Sequence, residues 1–347
     1  MHAFAFFRAP RRHGDSTASE RPRRPRMSAA ARLAPLTLVL ALAACAGPAA
    51  TPVATTAQVA TPAPTPAATA TPAQAFPVTI VDDEGTSVTL AAAPSRIVSL
   101  TPAATETLFA VGAGPSTVAK VEDITPYPPD ADALPVVATF QGTDVEKIVS
   151  LRADLVIAGG LGFTPPAAVA QLRSLGIPVI VLYAESVADA LSGIEAIGTA
   201  TGHAEEASSL TAAMQAEFDR LAALTQGLPK PLTFYEIDAT SDIYTVSAGS
   251  LYEELLQLAG ADPITTDASY QISLEKLITA NPAVILLGDG GYTTPADVIA
   301  RPNWSGIKAV VDQAIYPVND TLITRPGPRL VDGLRALIKA LHPEVQT

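Results

Sequence analysis

The sequence predicts an α/β protein of two similar lobes, each built on a central parallel sheet, joined by one long helix and facing each other across a cleft. Three observations carry this expectation. Residues 145–158 are echoed by residues 274–287, each copy opening on a short helix with a glutamate, Glu146 or Glu275, and running after a break into apolar residues. Such a run suits a strand buried on both faces. A second echo in the same relative order matches residues 106–113 to residues 254–261. Between the halves, residues 187–224 read as nearly continuous helix, broken once at Gly202-His203.

Taken in order, the chain begins with a basic leader. Residues 33–44 form an apolar segment too short to span a bilayer but right for the core of a signal peptide, with Arg32 as its positive flank. Leu42-Ala43-Ala44-Cys45 resembles the bacterial lipoprotein cleavage site, so residues 1–45 are expected to be a signal peptide and Cys45 the lipid-bearing residue. Met27 is an alternative start, giving a signal peptide of 18 residues. Residues 46–75 are almost wholly Ala, Thr, Pro, Val and Gly without charge. They cannot build a core and read as a disordered linker. At roughly 3 Å per residue it reaches on the order of 90 Å when stretched, enough for work at a membrane surface.

The first lobe spans residues 76–186. Residues 76–90 read as a β-hairpin around Asp82-Asp83-Glu84-Gly85, and residues 96–100 as a strand. Thr101 is a good helix N-cap with Pro102 behind it, where a missing N–H costs nothing. Thr143-Asp144-Val145-Glu146 reads as a capping box opening the first repeat copy. The helical segment covers residues 187–227. Its second part carries Leu210, Met214, Phe218, Leu221 and Leu224 at three- and four-residue spacing, as one buried stripe requires. The second lobe covers residues 228–347 and closes in a helix near residues 329–341.

Composition excludes several functions. The leader to residue 44 holds 8 of the 22 basic side chains and 2 of the 34 acidic ones, leaving 14 against 32, or −18, for the rest. A domain so acidic repels phosphate backbones, so no nucleic-acid partner is expected. Cys45 is the chain's one cysteine, which rules out a disulfide framework and a cysteine-based metal site. Histidine is as scarce, and with no Gly-x-Ser-x-Gly and only a lone Gly112-Ala113-Gly114 after a helix, no enzyme is indicated.

Residues 96–100, residues 141–158 from Gln141-Gly142 to Val156-Ile157-Ala158, and Arg325-Pro326-Gly327-Pro328-Arg329 resemble the helix-bridged substrate-binding proteins of ABC importers for vitamin B12, haem and ferric siderophores. The resemblance covers most of residues 76–343 and is nearest to the vitamin B12 binders. It implies two Rossmann-like lobes, a bridging helix, little hinge motion, no cofactor beyond the cargo, and a monomer that delivers its ligand to a permease dimer with its ATPase. It implies permease docking for Glu146 and Glu275, although a first-turn carboxylate also suits a helix dipole. It implies ligand contact for Tyr127 and Phe140 on one wall and for Asp320 and Arg325 on the other. Tyr270 and Trp304 are weaker aromatic candidates. The alternatives are a core role for the rings and a loop ion pair for Asp320 and Arg325. Gly159 and Gly160 stand where the vitamin B12 binders carry a tryptophan, leaving less aromatic wall. A corrinoid is the first choice of ligand, and haem or a ferric siderophore the alternative. A sensory or scavenging lipoprotein without a permease is the other functional reading.

Overall fold

The computed structural model describes residues 74–347 apart from residues 161 and 289. The expected signal peptide, Cys45 and the linker to residue 73 lie outside the described residues.

The hairpin forms as expected, Val78–Val81 pairing antiparallel with Ser87–Leu90. The first lobe then builds a six-stranded sheet in the spatial order Gly142–Thr143, Val136–Thr139, Thr117–Val121, Ile97–Ser99, Leu155–Gly159, Val179–Leu182. All pairings are parallel except that of the edge strand Gly142–Thr143. The second lobe carries four parallel strands in the order Asp262–Pro263, Leu232–Glu236, Val284–Leu287, Ile315–Pro317.

Alternation along these strands sorts their side chains between cores. In the first lobe Ile97, Leu155, Ile157 and Ile180 face one cluster, while Val98, Val156, Ala158 and Val181 face another that belongs to this lobe alone. In the second, Tyr235, Val284 and Leu286 face one way and Phe234, Ile285 and Leu287 the other. The inward sets meet. Ile97, Leu155, Tyr235 and Leu286 belong to one continuous core together with Ile194, Phe218 and Leu334. A shared apolar core of this kind ties the lobes together far more firmly than a surface contact, because separating them would expose it.

Two helices lie at this junction. Val187–Thr201 is capped by Ser186, whose hydroxyl accepts from the Asp189 N–H. Ala204–Thr225, at 22 residues, is the long helix expected, and Met214, Phe218 and Leu221 of its stripe are buried. It binds the second lobe through Thr225, which donates to the Leu258 carbonyl at 2.9 Å, and through Glu217, which meets Arg335 at 2.6 Å. The second echo also acts at this junction. Glu254 accepts at 2.7 Å from the N–H of Val187, the first residue of the other helix.

The principal repeat is equally plain in three dimensions. Each copy is a two-residue strand, one capping residue, a short helix and a buried strand: Gly142–Thr143, Asp144, Val145–Ser150 and Leu155–Gly159 in one, Gln271–Ile272, Ser273, Leu274–Ala280 and Val284–Leu287 in the other. Ile148 and Leu277, at equivalent places, are both 0% exposed. Arg152 and Asn281, also equivalent, both take φ 53° to turn the chain out of the helix. The cap corrects the expected capping box. Thr143 is held extended by its pairing with Ala138, so Asp144 becomes the N-cap, accepting from the Lys147 N–H at 2.9 Å and placing Glu146 second in the helix.

Candidate functional site

In open parallel sheets, ligands sit beyond the carboxyl ends of the strands, where loops from several strands converge. All five candidate ligand residues lie in such segments. Tyr127 follows Thr117–Val121 and Phe140 follows Val136–Thr139; in the other lobe Tyr270 follows Asp262–Pro263, and Asp320 and Arg325 follow Ile315–Pro317. Tyr127 and Phe140 are 41% and 59% exposed.

Arg325 is held by the opposite lobe. Its guanidinium donates to Asp123 at 2.7 and 2.9 Å, to Glu106 at 2.9 Å and to the Thr125 hydroxyl at 2.7 Å. Arg329 donates to both oxygens of Glu106 at 2.8 and 2.6 Å and lies 4.0 Å over the Tyr127 ring, a cation–π geometry. The Glu106 side chain is 1% exposed, and its hydrogen bonds hold the Arg329 pKa above the usual value. The structure thus joins Tyr127 and Arg325 in one cluster with Arg329, the other arginine of the Arg325–Arg329 motif, and with Glu106 and Asp123, to which the sequence assigned no role. One signal for Glu106 was available: a carboxylate in the otherwise uncharged helix Pro102–Ala110 must find a cation once buried.

Asp320 and Tyr270 belong to a second group, around Tyr252. Burial, and then the electrostatic influence of Tyr270 and Asp320, push the Tyr252 hydroxyl up to about 12. Tyr292, 72% exposed, stands beside it, since a Cβ at Gly290 would lie 3.4 Å from the Tyr292 ring and 3.9 Å from Asp320 Oδ1.

Aromatic rings stand beside Gly159 and Gly160 as well, that of Tyr183 tied through its hydroxyl to the Asp83 carbonyl at 2.7 Å. A Cβ on Gly159 would lie 2.8 Å from Phe163 Cβ, and one on Gly160 would lie 2.9 Å from Tyr183 Cδ1. The two glycines therefore make room for other rings, and Phe163 and Tyr183, 66% and 42% exposed, stand over them at the carboxyl ends of their strands. Trp304, in contrast, is 4% exposed and packs edge-on to Phe234 in the core of the second lobe, with Arg301 at 4.6 Å over its ring. A cavity of about 420 Å³ is lined by Trp304 together with Asp242, Ile272 and Arg301, and by none of the five candidates.

Glu146 and Glu275 are exposed in the first turns of their helices, each at the carboxyl-end side of its own sheet. His203 begins the helix Ala204–Thr225, and His342 is buried with its ring 3.3 Å from the Gly260 carbonyl. Neither lies on a carboxyl-end loop.

Residues 97–320 match the periplasmic binding protein family. An uncharacterised ABC transporter substrate-binding lipoprotein of Bacillus subtilis, YvrC, is 31% identical over 258 residues, 72% of this chain and 81% of that protein. The vitamin B12-binding protein of Pectobacterium carotovorum is 31% identical over 244 residues, covering 69% and 86%. Among solved structures, the apo periplasmic haem-binding protein RhuT of Roseiflexus is 25% identical with a TM-score of 0.64, covering 73% of this chain and 99% of that one.

Proposed function

This chain belongs to the periplasmic binding protein family, a family of binding proteins and not of enzymes, and on that premise we propose that it captures a corrinoid between its lobes for an ABC importer. In this reading a lipid on Cys45 holds it at the outer face of the cell membrane, and Glu146 and Glu275 present one carboxylate from each lobe to the two halves of a permease. The observation that carries the ligand is the character of the facing loops. They offer exposed aromatic rings, Tyr127, Phe140 and Phe163 from one lobe and Tyr292 from the other, with Tyr127 against an arginine already bonded to a carboxylate. A broad macrocycle fringed with amides suits such a surface, through apolar contact and a few hydrogen bonds.

Haem is the second reading, supported by the likeness to a haem binder. Both described histidines lie away from the carboxyl-end loops, so such a haem would take a tyrosine as axial ligand. Titrating the purified chain with cyanocobalamin, cobinamide, haemin and a ferric siderophore separates these readings. Corrinoid binding is expected; binding of haemin alone overturns the corrinoid assignment.

A further inference from the structure

The loops at the carboxyl ends of the two sheets differ sharply in charge from a site made for anions. Among their described residues the basic side chains are Arg325 and Arg329, and Arg301, which reaches the end of the strand Leu232–Glu236, is held there by both oxygens of Glu236 at 2.6 and 2.7 Å. Acidic residues recur in them, with Asp123 and Asp130 in the first lobe and Asp238, Asp242, Asp267 and Asp320 in the second. Arg325 and Arg329 are also committed. Asp123 binds Arg325 at two points, and Glu106 binds both arginines, with Arg329 gripped through two nitrogens. These carboxylates are 6% and 1% exposed, so they stay with the arginines and neutralise them one for one.

A carboxylate or phosphate arriving at this cleft would have to compete with Asp123 and Glu106 for the same guanidinium hydrogens. It would do so within the field of the remaining acidic side chains, which is weakly screened between two low-dielectric walls. A ligand without net negative charge meets no such cost. It can still accept from any guanidinium N–H left over, through neutral amide or hydroxamate oxygens.

We infer that Asp123, together with Glu106, is a specificity determinant that restricts this cleft to neutral or cationic cargo by neutralising Arg325 and Arg329. The inference rests on the proposed ligand-capturing role of the cleft and narrows the chemical class of what is captured. It sets dicarboxylate macrocycles and trianionic ferric catecholates apart from corrinoids and neutral ferric trihydroxamates.

The test is a matched pair differing in one charge: cyanocobalamin and its monocarboxylate, in which one side-chain propionamide is hydrolysed. Each is titrated calorimetrically into the purified chain and into Asp123→Asn, which keeps an acceptor for Thr125 while removing the charge. The neutral member is expected to bind the unmodified chain about tenfold more tightly, and the substitution to narrow that ratio several-fold. Equal or tighter binding of the monocarboxylate by the unmodified chain overturns the inference and leaves the importer reading intact. An unchanged ratio in Asp123→Asn overturns the role of Asp123, with cooperative thermal unfolding showing that the variant is folded. Should neither corrinoid bind, the corrinoid assignment falls. The same comparison is then made between a neutral ferric trihydroxamate and a ferric tricatecholate, where preference for the trianion overturns the charge rule. Binding of none of the four overturns both readings together.

Discussion

Arg325 of the second lobe and Asp123 of the first form a two-point ion pair at 2.7 and 2.9 Å, across the junction of the lobes and 202 residues apart in sequence. Glu106 extends the pair into a network that also holds Arg329. Planar guanidinium suits such two-point contact in a way that an ammonium group cannot reproduce.

Glu106 is the member on which the network turns. Its replacement by alanine leaves two guanidinium groups short of a partner in a nearly buried setting, and breaking a buried pair from one side costs about 3 kcal/mol or more. Urea unfolding of Glu106→Ala is therefore expected to show a loss of that order, whereas an exposed carboxylate such as Glu205 should tolerate the same change with little effect.

Gly288 makes a second, steric prediction. A Cβ at this position would lie 2.1 Å from the Tyr235 hydroxyl and 2.2 Å from its Cζ, and Tyr235 is 2% exposed in the shared core. Gly288→Ala must displace a buried ring, at a cost of about 2–3 kcal/mol. A lowered melting temperature is expected, and an unchanged one would show that the ring has room to retreat.

The duplicated unit was legible in the sequence because it is written locally: glutamate in the first turn, one apolar side chain to anchor the helix, and a β-type run after the break. Ile148 and Leu277 took the buried places, and even the left-handed turn recurs at Arg152 and Asn281. Thr101 as cap and the break at Gly202-His203 were equally local signals. What escaped was relational. Nothing near Glu106 in sequence names Arg325 or Arg329, and nothing near Gly160 shows that Tyr183 stands over it. The shift of the cap from Thr143 to Asp144 follows from strand pairing with Ala138, also a tertiary fact.

Acid should weaken the tie between the bridging helix and the C-terminal helix. Hydrogen bonds from Arg220 and then Arg335 lower the Glu217 pKa from 4.5 to about 2. Because the folded value lies below the unfolded one, the stabilisation is complete above about pH 4.5 and is lost as pH falls towards 2. The stability difference between the unmodified chain and Glu217→Gln is thus expected at pH 7 and should shrink steadily below pH 4.5. A difference independent of pH would assign it to packing.

Docking through the two exposed glutamates predicts a separation of binding from transport. Glu146→Ala combined with Glu275→Ala should leave ligand affinity and folding unchanged while abolishing uptake in cells that carry the permease. Full uptake by the double variant would favour docking through other residues, and an absence of uptake by the unmodified chain would favour a sensory or scavenging role.

Cargo is expected to lie against the rings presented by the carboxyl-end loops. Equilibrium titration of cyanocobalamin into the purified chain and into a Tyr127→Ala, Phe163→Ala variant tests it most directly. One-to-one binding by the former, weakened at least about tenfold in the latter, is the expected result. Equal affinity in both, or no binding to the unmodified chain, would contradict this placement of the cargo.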